Sequence, residues 1–143
     1  MRAFFRFNQG LLSMPLHWQA WLLVLVSANL LAPLFFLGRV EAQVVVAALL
    51  VSMVLMTILT GRFGFSRILG LGHMIAWVPL LAFLWSTLPD APSSDAFGLW
   101  LRVVIALNAT SLVIDAVDVV RFLSGDHAEI VAGLGERQAV EGA

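Results

Sequence analysis

Asn108, Ser111, Asp115 and Asp118 follow one another at spacings of three, four and three residues, which on a helix of 3.6 residues per turn sets them in one stripe. Two carboxylates one turn apart, with a hydroxyl and an amide above them, are groups that bind a cation or hold a proton. The stretch that carries the acids, "SLVIDAVDVVRF" at 111–122, closes a long apolar run. An ionised aspartate at the centre of a bilayer costs about 2.5–3.5 kcal/mol on insertion scales, so the stripe must face protein or water.

The candidate polar or ion site is therefore Asp115, Asp118, His73, Asn108, Ser111 and Asn29, with Arg62, Arg67 and Arg121 as ion-pair partners. Arg121 lies three residues beyond Asp118, which predicts a local pair. Asp115 has no base at three or four residues, so its partner is expected on another helix or another chain. Arg62, Arg67 and His73 stand at a matching depth. His73 beside a carboxylate would form a fixed interhelical hydrogen bond or, with its charged form favoured, relay protons. Pro33 removes the helical donor for the carbonyl of Asn29, and Pro79 does the same for Ile75, so both runs should kink, and the Asn29 region could line a path.

These residues are positioned by four charge-poor runs, at 18–37, 42–60, 68–88 and 97–120. Hydrophobic residues make up 61% of the chain and charged ones 12%, and the mean hydropathy is +0.97. Soluble domains average roughly 45–50% apolar and about 25% charged. Each run is long enough to cross a hydrocarbon core of about 30 Å as a helix, and each is apolar all round. The expected fold is all-α, an integral membrane bundle of four transmembrane helices over 17–122. Residues 1–16, with Phe4, Phe5, Phe7, Leu11 and Leu12 opposite Arg2, Arg6 and Gln9, predict an interfacial amphipathic helix. Residues 123–143 form a polar tail, expected as a short helix and a frayed end.

All eight basic residues are arginine. Arg2, Arg6, Arg62, Arg67, Arg121 and Arg137 fall on one side of the spans, which predicts cytoplasmic N- and C-termini in a cell membrane, taken to be bacterial. Trp18, Trp21, Trp85 and Trp100 lie near span ends, as an aromatic belt would place them. Arg102 should snorkel to the outer headgroups or pair with Glu41 or Asp95. Ser94 and Asp95 are capping candidates for the fourth span. Ser66 with Gly70 and Gly72 with Ala76 are small-xxx-small pairs that predict a close helix contact.

With no cysteine, disulfides, thiol chemistry and Cys-ligated metals are excluded. "HWQAW" at 17–21 and "HMIAW" at 73–77 share H-x-x-A-W. Haem ligation through His17 and His73 is the minor alternative to an expectation of no cofactor. Met53 and Met56 read as packing rather than copper ligands. No P-loop, dinucleotide fingerprint, metalloprotease motif or nucleophile elbow occurs, so an enzyme is not expected, and no basic run suits nucleic acid. Two functions remain. The first is an interaction or accessory subunit of a homo-oligomer or a larger membrane complex, with the lipid bilayer and other subunits as partners. The second is a small ion- or proton-coupled transporter or channel using Asp115 and His73.

Overall fold

The computed structural model describes residues 2–127. Most of the expected tail, with Arg137, and the side chains of Arg2 and Arg6 lie outside the described residues. The described chain is all-helical. Four segments, Leu16–Phe36, Val40–Phe63, Arg67–Asp90 and Ala96–Leu123, are long and apolar enough to cross a membrane, within a few residues of the expected spans.

The first helix, α1 (Arg2–Ser13), turns at Pro15 into α2 (Leu16–Val26). Gln19 clamps this turn, its amide donating to the carbonyls of Leu12 at 3.0 Å and Met14 at 2.7 Å. Beyond α2 the span continues as a π-turn at Ser27–Leu31 and a 3₁₀ segment at Ala32–Phe36. A short hairpin leads to α3 (Val40–Phe63), which ends at Gly64 with φ of 73°, a left-handed position that favours glycine. A 3₁₀ turn at Arg67–Leu69 opens α4 (Gly70–Thr87), and α5 (Ala96–Leu123) completes the bundle. Asp95 caps α5 as expected, its Oδ1 accepting from the Gly98 amide at 2.6 Å.

The predicted kink in the first span has a definite register. The Ala32 amide donates to the Ser27 carbonyl, five residues back, and so leaves the Ala28 carbonyl without its usual donor four residues on. Pro33, the next position, has no N–H to offer. The indole of Trp100 supplies it, Nε1 to the Ala28 oxygen at 2.9 Å. Trp100 is thus buried in the bundle and is not a member of the expected interfacial belt. Its indole N–H outweighs its preference for the interface because an unpaired carbonyl inside a membrane protein has no water to turn to. Trp100→Phe should therefore cost about 1–3 kcal/mol, the penalty of an unsatisfied buried acceptor. Unfolding of the detergent-solubilised protein would measure it. Pro33→Ala, which restores a backbone donor, should lessen the loss in the double variant.

The core is built by α3, α4 and α5, with Val45, Leu49, Trp77, Leu80, Leu84, Leu101 and Val104 buried together. The small-residue pairs act within the chain. A Cβ on Gly70 would lie 2.9 Å from the backbone oxygen of Asp115, and one on Gly72 would lie 2.7 Å from Cγ of Met56. So α4 touches α5 at Gly70 and α3 at Gly72. Pro79 sits inside α4 without interrupting it. A second cluster, Phe7, Phe65, Ile68, Leu69 and Phe122, ties α1 to the α3–α4 turn and the end of α5. All three therefore share one end of the bundle. Packing of Phe7 against Phe65 buries one side of α1, while Phe4, Phe5 and Leu12 stay exposed.

The first span packs on α3 and α5 chiefly through Ser27–Phe36, whereas α2 itself stands off from α3, α4 and α5. Leu25 is the one buried residue of α2. The gap this leaves frames the candidate site.

Candidate functional site

All four stripe residues of α5 face inward. Highest in the bundle, Asn108 meets Asn29 in a reciprocal amide pair, each Nδ2 donating to the other's Oδ1 at 2.8 Å, and Asn29 also donates to the Leu25 carbonyl at 3.0 Å. Both are 0% exposed. Asn29 therefore seals the contact between the first span and α5 and lines no path. Its amide is occupied by the only other buried amide at that height among the described residues.

One turn and more below, Asp115 Oδ2 lies 2.9 Å from Nδ1 of His73. This is the pair that antiparallel packing of α4 and α5 makes possible, and Gly70 is its cause. Gly70 and His73 are three apart on one face of α4, and the close approach at Gly70 brings the next turn against Asp115. With the carboxylate ionised, and so only an acceptor, Nδ1 is the donor of this contact and Nε2 points away from it. The ring is held flat against Trp77, with centroids 4.2 Å apart and planes 21° from parallel.

Asp118 is not held by Arg121. Arg67, at the start of the 3₁₀ turn, donates to Asp118 at 2.6 Å and to Asp126 at 2.9 Å. Arg121 instead approaches Asp126 at 3.5 Å and is 56% exposed on its side chain. The local pair loses because Arg67 reaches both carboxylates at once across the helix end, with charge-assisted hydrogen bonds that a three-residue spacing on one helix does not improve upon. Asp126 carried no signal in the hydropathy pattern, since it lies beyond the last apolar turn. Arg62 is exposed at the end of α3 and forms no ion pair among the described residues.

Of the expectations for Arg102, the ion pair is not formed. The guanidinium donates to the carbonyls of Gly98 at 2.8 Å and Ala91 at 3.2 Å and so pairs with neither Glu41 nor Asp95. The carbonyls are nearer than either acid because the loop before α5 folds back over its first turn.

Asp115, Asp118, His73, Ser111, Arg67 and Arg121 together form one wall of a cavity of about 550 Å³. The opposite wall comes from the end of α1 and from α2, with Leu11, Met14, Trp18, Trp21, Leu22 and Leu25, and Met56 is the contribution of α3. Ser66 also lines it, its hydroxyl buried without a hydrogen-bond partner among the described residues. Val113 and Val117 form a lip and are 66% and 54% exposed. Both are apolar and stand on a helix long enough to cross a membrane.

The two H-x-x-A-W segments do not repeat in space. His73 stacks on Trp77 inside the bundle, whereas His17 is exposed at the start of α2 beside Trp18 and does not line the cavity. No group of three or more His, Asp or Glu suited to a metal ion occurs among the described residues. Met53 is partly exposed on α3 and Met56 packs against the second cluster.

No protein-family model, curated protein or solved structure matches this chain.

Proposed function

We propose that the protein is a small membrane transporter that moves an amphipathic solute coupled to a proton, with the cavity as the solute site and His73–Asp115 as the protonation site. The observation that carries this reading is the position of that pair in the wall of a cavity whose other wall is apolar and aromatic. Pockets of roughly 300–1,000 Å³ with a few convergent polar groups are the usual sites of small molecules.

A second feature supports movement. The wall supplied by α2 is loosely packed and ends at a π-turn, a feature that recurs at functional sites. Swinging α2 about Ser27–Leu31 would open or close the cavity while Asn29 and Asn108 hold the upper bundle. By the positive-inside rule the arginine-rich end belongs in the cytoplasm, with α1 lying along that membrane surface on Phe4, Phe5 and Leu12. The accessory-subunit reading takes the stripe from Asn108 to Asp118 and the arginines as polar contacts to other subunits, but Asn108 is paired with Asn29 and Asp118 with Arg67 within this chain. Asp115 also needs a partner, and His73 meets that need within the same chain.

The test is proton movement in liposomes that hold the purified protein and a trapped pH-sensitive dye. Adding a panel of cationic, neutral and anionic amphiphiles should produce a pH change with at least one of them. Asp115→Asn should abolish it while size and helix content are kept. If no amphiphile moves protons and the protein leaves its native membrane in fixed ratio with other polypeptides, the transport reading is wrong and the subunit reading replaces it.

A further inference from the structure

The charges around the cavity do not contribute equally. Arg67 binds Asp118 and Asp126, and Arg121 faces Asp126, so two guanidinium groups and two carboxylates form a set that neutralises itself. Asp115 stands outside that set, with His73 as its sole charged or titratable partner among the described residues. The wall therefore carries the charge of the His73–Asp115 pair, one negative charge when the imidazole is neutral and none when it is protonated.

The facing elements leave this balance untouched. Among the described residues, those that line the cavity from α1, the turn after it and α2 are Leu11, Met14, Pro15, Trp18, Trp21, Leu22 and Leu25, and that of α3 is Met56, none of which titrates. The charged groups facing the pair are Arg67 from the turn before α4 and Asp118 and Arg121 from α5. Trp18 and Trp21 add π-faces, which attract cations.

We infer that the cavity takes a hydrophobic organic cation, a protonated or quaternary amine or its phosphonium equivalent on an apolar body, and that the cation and a proton compete for Asp115. This rests on the transport reading and names its solute class. An anionic amphiphile would meet Asp115 with both guanidiniums already engaged. A zwitterionic lipid headgroup would bring its phosphate against the same carboxylates. The exposed apolar lip of Val113 and Val117 suits a ligand that partitions into the bilayer. Entry of the cation is favoured by a neutral His73. Protonation at Nε2 converts the pair to an imidazolium–carboxylate and removes the field the cation needs, so a cation that binds the protonated pair releases its proton.

The decisive comparison uses two ions of one shape and opposite charge, tetraphenylphosphonium and tetraphenylborate, titrated into the full-length protein in a neutral detergent. The phosphonium should bind saturably and at least about tenfold more tightly than the borate, as expected for one partly desolvated charge. Its binding should tighten as the pH is raised, with proton release detectable in weak buffer. Asp115→Asn should remove the preference for the cation and the pH dependence. Trp21→Leu should weaken binding with the pH dependence kept, which guards against reading a misfolded variant as support.

Equal or tighter binding of the borate, displacement of the phosphonium by a zwitterionic phospholipid, or unchanged binding by Asp115→Asn would each overturn the inference. Proton movement driven by another amphiphile would leave the transport reading standing in those cases. Absence of binding by either ion together with absence of proton movement would end both.

Discussion

Gly70→Ala is expected to destabilise the bundle by about 1–3 kcal/mol, the range for forcing extra volume into a packed interior, and to weaken any ligand binding that depends on Asp115. The new methyl would lie 2.9 Å from the Asp115 backbone oxygen and 3.0 Å from its Cα. Those atoms belong to the α5 backbone and cannot turn aside, so α4 and α5 must move apart. The movement also stretches the His73–Asp115 contact of 2.9 Å, because His73 is one turn further along the same face.

Gly72→Ala is the matched control. Its methyl would press on Met56 Cγ at 2.7 Å, with the Met56 backbone nitrogen at 3.2 Å. An unbranched thioether side chain is adaptable, so α3 and α4 should separate less. Higher helix propensity of alanine opposes both losses by up to about 1 kcal/mol. Denaturant titration of the two variants in mixed micelles compares them directly. Equal stability would show that α4 and α5 are not in backbone contact at Gly70.

The second large effect concerns the buried amide pair. Asn29→Leu leaves the Asn108 amide with neither of its reciprocal 2.8 Å hydrogen bonds, and Asn108→Leu does the same to Asn29 apart from its bond to the Leu25 carbonyl. Each single change should cost about 2 kcal/mol, within the penalty for an orphaned buried polar group. The double change removes both amides and leaves none unpaired, so it should cost less than the sum of the two. A coupling energy of about 1–2 kcal/mol is expected, near the upper end for polar contacts between membrane helices. A double-mutant cycle on the solubilised protein measures it. Strict additivity of the two losses would mean that the pair does not join the first span to α5.

The spans were legible because hydrocarbon demands about 20 consecutive apolar residues whatever their order. The inward stripe of α5 was legible for the same reason, since Asn108, Ser111, Asp115 and Asp118 could not be left in lipid. The capping role of Asp95 and the close contacts at Gly70 and Gly72 followed from residue types whose use hardly depends on context. Depth, counted from a span end at a fixed rise per residue, placed His73 among three candidate partners of Asp115, with Arg62 and Arg67, and the packing of α4 on α5 selected it.

Partner choice was not legible where two bases stood at one depth. Arg121 is nearer to Asp118 in sequence, but Arg67 spans Asp118 and Asp126 from the adjoining turn, and that geometry exists only once α4 and α5 are packed. The position of Trp100 was hidden likewise. Its indole fills a carbonyl that becomes free only when Ala32 bonds back to Ser27, and a π-turn leaves no mark in hydropathy. Composition and periodicity thus determined that the chain forms four membrane-length helices and which polar face turns inward, because the solvent acts on each helix separately. Tertiary structure alone decided that α2 stands off from α5, that a cavity opens there, and that Asp115 is left to His73 on its wall, because these depend on how helices with equally apolar surfaces tilt against one another.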